Sequence, residues 1–261
     1  MAKKNKNYTT YEVFDFLMDP EFKNWIRQND TASDFYWQSV MQRYPEKKDA
    51  IEKAIELAKS GKVEEGNVGA GTGTICFAWK GGIGTASRVL PAKSGGYTVG
   101  VIVQTNFGGV LEINGVPVGV EMKQYFLNEQ LNDPADGSCM IVVATDAPLT
   151  ARNLERLAKR AVFGLAKTGG IASNGSGDYV IAFSTAKELR VAHNPASKFY
   201  GISELHNEEV SPLFLAAIEA TEEAIINSLF AAQTTKGMNG TIQALPVEKV
   251  IEMSKKYNKI K

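Results

Sequence analysis

Two cysteines in 261 residues, Cys76 and Cys139, are too few for a disulfide framework, and both are expected to be small buried residues. Histidine is as scarce. His193 and His206 share no metal-ligand spacing with each other or with the cysteines, and neither sits in a recognisable Ser–His–Asp setting. A zinc site and a conventional serine triad are therefore both excluded as expectations, and no cofactor is implied. Charge bias is absent too: 29 basic residues balance 29 acidic ones, and no basic stripe interleaves with aromatics, which argues against nucleic acid as a partner. No apolar run is long enough to span a bilayer. The opening MAKKNKNYTTYEVFDF has positive charge without the apolar centre of a signal peptide, so the expected location is the cytoplasm, away from membranes.

Glycine is absent before residue 61 and frequent from there on, a change that divides the chain. In residues 1–60, apolar positions recur at helical spacing: Tyr11, Phe14 and Leu17, then Phe22, Trp25 and Ile26. Asp19-Pro20 between them ends one helix and starts the next. Phe35, Tyr36, Val40 and Tyr44 predict a third helix capped at Ser33, and Pro45 opens a fourth that runs to Ser60 and closes at Gly61. Residues 61–261 alternate strand and helix patterns. TICFAW, IGTASRVL, YTVGVIVQT and DYVIAFST are strand-like, and CMIVVAT, apolar throughout, predicts a strand buried on both faces. Asn114-Gly115 between two short apolar runs signals a hairpin. Thr150 and Gly169 bracket an amphipathic helix, a long helix starts at Ser211-Pro212, and a shorter one follows Pro246. The class is α/β, with sheets covered by helices.

Three features bear on chemistry. GNVGAGTG, from Gly66 to Gly73, is glycine-rich, but it leads into a strand and lacks the spacing of a dinucleotide fingerprint and the Lys-Ser/Thr of a phosphate loop. It either lets two backbones approach or lines a substrate pocket. Gly137-Ser138 follows the turn-rich LNDPADG and precedes a buried strand. Glycine leaves its carbonyl open and tolerates a strained backbone, so Ser138 Oγ can attack it. The cut would free an α-amine with a pKa of about 7.7 to 8.0, a base able to act without histidine. Gly-Ser is also an ordinary turn dipeptide, and local sequence alone favours that reading. Ser176 and Asp178, two residues apart at the start of a strand, face the same way and can orient a nucleophile or hold an ammonium group, unless they are merely a polar turn.

The blocks GKVEEGNVGAGTGTICFAWKGGIGTASRVL, YTVGVIVQTNFGG, GSCMIVVATDAPLTARNLERLAKRAVFGLAKTGG, NGSGDYVIAFST and AIEATEEAIINSLFAA, followed by ALP, resemble the DmpA and BapA aminopeptidases in content and order over about residues 48–261. The resemblance implies a four-layer αββα sandwich and self-cleavage before Ser138. It also implies Asn106 as oxyanion donor, with Ser176 and Asp178 as the second serine and the acidic residue. It implies a metal-free hydrolase acting on small peptides, amides or esters; an oligomer of like chains is expected as well, because a sandwich short of strands exposes apolar faces and unpaired edges. Val247 departs from the histidine often found after ALP. The family's long region before the glycine loop is absent, so the sandwich is expected to be incomplete. Residues 8–57 instead resemble the N-terminal segment of FecR-type anti-sigma regulators, which implies a sigma-factor-like protein partner and a domain boundary near residue 60. That leaves two functions open: a self-processing serine aminopeptidase, or a catalytically silent scaffold whose helices contact a regulatory partner.

Overall fold

A computed structural model of the chain describes residues 6–28, 31–57, 61–128, 137–191, 197–199, 201–238 and 240–260. Two compact units emerge, residues 1–62 and 63–261. The expected LNDPAD turn and His193 lie outside the described residues, as do the expected end of the fourth helix at Ser60 and its approach to Gly61.

The first unit is helical: α1 Val13–Met18, α2 Pro20–Gln28, α3 Thr31–Arg43 and α4 Lys48–Leu57. Its core gathers Tyr8, Phe16, Phe22 and Trp37 with Val40, Ile51 and Ala54. Most of the rings meet edge-on or tilted, as between Phe22 and Trp37 at 5.0 Å, while Tyr8 and Phe16 stack at 6.0 Å, and aromatic quadrupoles favour edge-on and offset-stacked contacts alike. Asp19 separates α1 from α2 as expected. Its buried carboxylate accepts from the Glu21 and Phe22 amides at 2.8 and 3.2 Å, satisfying two donors that Pro20 leaves open at the start of α2. Ser33 is not a cap: α3 begins two residues earlier, at Thr31. Pro45 opens a single tight turn through Lys47, and α4 follows it.

The second unit is built on one four-stranded sheet in the order β3 Ile83–Val89, β4 Thr98–Asn106, β5 Ser138–Thr145, β6 Tyr179–Ser184. The first three strands run antiparallel, and β6 joins β5 in parallel through the crossover helix α6 Ala151–Lys167. Strand β4 alternates buried and half-buried residues along its whole length, so one face carries Val99, Val101 and Val103 into the core. Over that face lies α7 Ser211–Phe230, packed across β3 and β4, with α6 beside it and over β5 and β6. TICFAW forms two short strands rather than one: β1 Ile75–Cys76 and β2 Trp79–Lys80 pair around Phe77 and Ala78, both at positive φ. Asn114 and Gly115 make the expected tight turn, but the runs beside them close only the Ile113–Val116 bridge. The remaining elements are α5 Val118–Glu121, the hairpin β7 Thr235–Gly237 with β8 Gly240–Ile242, and α8 Val247–Lys256. No helix among the described residues is long and apolar enough to cross a membrane.

Helix and sheet approach closely at Gly84. A β-carbon there would lie 1.9 Å from the Ala224 carbonyl oxygen and 2.7 Å from the Ser228 nitrogen, both backbone atoms of α7. Neither can move without shifting the helix. Gly84→Ala is expected to destabilise the second unit by about 3 kcal/mol, as overpacking against a rigid element does. An unchanged urea midpoint would contradict this.

Strand β5 is not buried on both faces. Its outward side chains alternate with the core and line up with those of its neighbours: Gln104, Met140 and Tyr179 in one row, Ile102, Val142 and Ile181 in the next, then Gly100, Ala144 and Phe183. Met140, Tyr179, Ile181 and Phe183 are exposed. Among the described residues the other two sheets are two-stranded, so the sandwich is present as a helix layer and one sheet.

Candidate active site

The chemistry-bearing residues meet at one end of the sheet. Asn106 is the last residue of β4 and Ser138 the first of β5, and antiparallel pairing places them directly opposite each other. Asp178 immediately precedes β6, the strand beside β5. Strand order thus brings together residues that lie 32 and 40 positions from Ser138 along the chain.

Ser138 is half-buried, and its Oγ accepts a hydrogen bond from the Gly177 amide at 2.9 Å. Asp178 accepts at both oxygens: from the Cys139 amide at 2.8 Å and from Ser176 Oγ at 2.9 Å. The carboxylate is therefore fixed against the backbone of the residue after Ser138, with Ser176 held on its other side. Asn106 Oδ1 accepts from the Ile75 amide at 3.0 Å, leaving the other branch of the side-chain amide, Nδ2, free to donate elsewhere. Nδ2 faces Gly137. A β-carbon on Gly137 would stand 3.2 Å from it and 2.0 Å from the Asn106 carbonyl oxygen. Gly137 itself has φ of 137°, a conformation that side chains disfavour.

All four residues expected at the site, with Gly137, are thus brought together. Three contributors were invisible in sequence: the backbone amides of Ile75, Cys139 and Gly177 carry no side-chain signature, and only the strand pairing places them. The cysteines take no such part. Burial pushes the pKa of the Cys76 thiol up to about 12, and burial, with Cys76 and the Asp178 carboxylate nearby, holds that of Cys139 well above its ordinary value. Both stay protonated at neutral pH, so neither thiol is a ready nucleophile. His206 is exposed at the start of a short turn through Glu209. Among the described residues no three His, Cys, Asp or Glu side chains come together to hold a metal ion.

The glycine loop lets two backbones approach, the first of the two roles expected of it, and it also borders a cavity. A β-carbon on Gly82 would meet the Gly66 carbonyl oxygen at 2.3 Å, so two backbones touch there, and Thr72, Gly73 and Thr74 line a cavity of about 230 Å³ against the β7–β8 hairpin.

The chain is 44% identical over 222 residues to the β-peptidyl aminopeptidase BapA of Sphingosinicella microcystinivorans, across 80% of this chain and 56% of that one. Among solved structures, a protein from Pyrococcus horikoshii OT3 matches at 47% identity with a TM-score of 0.69, over 80% of this chain and 57% of its own. The L-aminopeptidase D-Ala-esterase/amidase of Ochrobactrum anthropi, described as a variant of the Ntn hydrolase fold, matches at 38% identity with the same TM-score and the same coverage. The chain spans about half the length of the curated relatives it matches. The sequence profile of peptidase family S58 covers residues 34–243, opening inside α3, ahead of residue 48 where the resemblance to aminopeptidases was expected to begin. The chain belongs to peptidase family S58.

Proposed function

We propose that the chain is a self-processing serine aminopeptidase or amidase that cuts itself before Ser138 and then uses that residue as an N-terminal nucleophile. The observation that carries the reading is the pairing of Asn106 with Ser138, which sets an amide donor beside the Gly137 carbonyl's residue and a hydroxyl on its other side. In the first step Ser138 Oγ attacks the Gly137 carbonyl carbon. The C–O bond forms first and gives a tetrahedral intermediate; the C–N bond then breaks, the hydroxyl proton ends on the departing amine, and the chain becomes an ester. Asn106 Nδ2 stabilises the oxyanion of the tetrahedral intermediate. Water then hydrolyses the ester, leaving a Gly137 carboxylate and a free α-amine on Ser138.

In the cut protein that amine accepts the Ser138 hydroxyl proton when Oγ attacks a substrate carbonyl. Asp178, already anchored at the Cys139 amide, is placed to hold an ammonium group, either that of Ser138 or the N-terminus of a small peptide or amide. Ser176 keeps the carboxylate in place. A silent scaffold has no need of this set: a strained glycine, a facing amide and a doubly anchored carboxylate around one serine. The geometry favours the hydrolase. Incubation of the purified chain is expected to yield residues 1–137 and 138–261, read by intact mass; a chain that stays whole on long incubation removes the self-processing reading.

The outward sheet face bears on assembly. Contiguous exposed apolar side chains on a sheet are stabilised by being covered, and like chains are the nearest source of cover. The chain is expected to associate in sedimentation velocity, and Ile181→Lys with Phe183→Lys to shift it to monomer. A wild-type monomer at every concentration tested would refute this.

A further inference from the structure

We propose that Lys80 is a positioning residue that orients the Asn106 amide toward the Gly137–Ser138 bond; the inference rests on the hydrolase reading above. Lys80, on β2, is 2% exposed. Its Nζ donates to the carbonyl oxygens of Gly71 at 2.9 Å, Thr74 at 2.8 Å and Gly81 at 2.7 Å. An ammonium group has three N–H donors, and all three are used. The partners are neutral carbonyls, and burial lowers the lysine's pKa from its ordinary value. A buried cation with no carboxylate among these partners is a costly way to secure a loop, so what the loop holds matters.

The three carbonyls come from the glycine loop, from the residue before β1 and from the residue after β2. One ammonium group therefore clamps both legs of the β1–β2 hairpin. At its tip the Phe77 amide donates to the Phe107 carbonyl at 2.8 Å, one residue beyond Asn106. On its first leg the Ile75 amide donates to Asn106 Oδ1, while Ile75 itself pairs with Lys80 across the hairpin. This single contact decides which end of the Asn106 amide faces the reaction. With Oδ1 held by Ile75, Nδ2 stands beside Gly137. Were the hairpin free to move, the amide would rotate and present an oxygen, which repels an oxyanion. Lys80 thus supplies preorganisation of a donor that matters only in the transition state.

Two measurements test this. In the full chain acting on alanine p-nitroanilide, Lys80→Met is expected to lower kcat by roughly 10²-fold with KM little changed, the size of losing one oxyanion donor. In an Asn106→Ala background the same change is expected to cost less than about 3-fold, because both substitutions remove one interaction. Lys80→Gln, which keeps an N–H donor, should fall between. The second measurement needs no catalysis. In the uncuttable Ser138→Ala chain, Lys80→Met is expected to speed hydrogen exchange of the Ile75 amide by about 10-fold or more, with the sheet amides of Val101 and Val143 unmoved. If the wild-type chain neither cuts itself nor hydrolyses the anilide, the hydrolase reading falls, and exchange still decides whether Lys80 holds Ile75 on Asn106. Unchanged Ile75 exchange, or equal losses in the two backgrounds, would overturn the proposal. So would loss of Val101 and Val143 protection in both Lys80 variants, since that would make Lys80 a residue of the fold as a whole.

Discussion

Ser138→Ala is expected to leave one uncut chain and to lower hydrolysis of amino-acid amides by roughly 10⁴-fold or more, the scale seen when a nucleophile is removed. The hydroxyl oxygen is the only atom of Ser138 placed to attack Gly137, and among the described residues it accepts a hydrogen bond from the Gly177 amide. Alanine keeps the backbone pairing with Asn106, so the sheet should survive at a cost of about 1 kcal/mol, the net worth of one lost hydrogen bond. Stability and activity therefore separate in this variant. The wild-type pH profile should carry the mark of an α-amine base: activity present above a pKa of about 7.7 to 8.0 and lost as the amine is protonated below it. A Ser138→Ala chain that is still cut before residue 138, or that hydrolyses at the wild-type rate, would end the assignment of Ser138.

How far the residues announced this arrangement depends on where the signal resides. Strands β3, β4 and β6 and helices α6, α7 and α8 follow from periodicity, glycine stops and proline starts, which are local properties of the chain. The β1–β2 hairpin does not, because Phe77 and Ala78 take the positive φ that a tight turn needs without the glycine or asparagine that would betray it. The run CMIVVAT misleads for a different reason. When every residue is apolar, alternation is erased, and nothing distinguishes a strand buried on both sides from one whose outer face is left open. At the site, the identities of Asn106, Ser138, Ser176 and Asp178 were legible through family resemblance, yet their meeting is a product of register. A slip of one residue between β4 and β5 would turn Asn106 away from Ser138. The donors that tune these side chains, at Ile75, Cys139 and Gly177, are backbone groups common to every residue, so no pattern of side chains could have named them.

Gly137→Val is expected to slow the self-cut by about 10³-fold and to destabilise the uncut chain by about 3 kcal/mol, through overpacking and an unfavourable φ acting together. A β-carbon at this position would fall 2.0 Å from the Asn106 carbonyl oxygen, and the residue's φ of 137° is one that a β-branched side chain resists. Relief requires the ends of β4 and β5 to part or Gly137 to change conformation. Either movement carries the Gly137 carbonyl away from Asn106 Nδ2 and from Ser138 Oγ, the two groups that must reach it together. Gly137→Ala should show the same effects at smaller size. The variant also separates two roles of the site, because in the proposed mechanism Gly137 belongs to the scissile bond and not to the finished enzyme. Once the bond is broken, residue 137 is a chain end, and each molecule that has been cut should hydrolyse amides at the wild-type kcat. Quantifying the cut fraction by mass and dividing the observed rate by it tests this directly. A Gly137→Val chain that cuts itself at the wild-type rate would show that the close contact with Asn106 plays no part in the cleavage, and a cut fraction with depressed kcat would mean that residue 137 shapes the mature site as well.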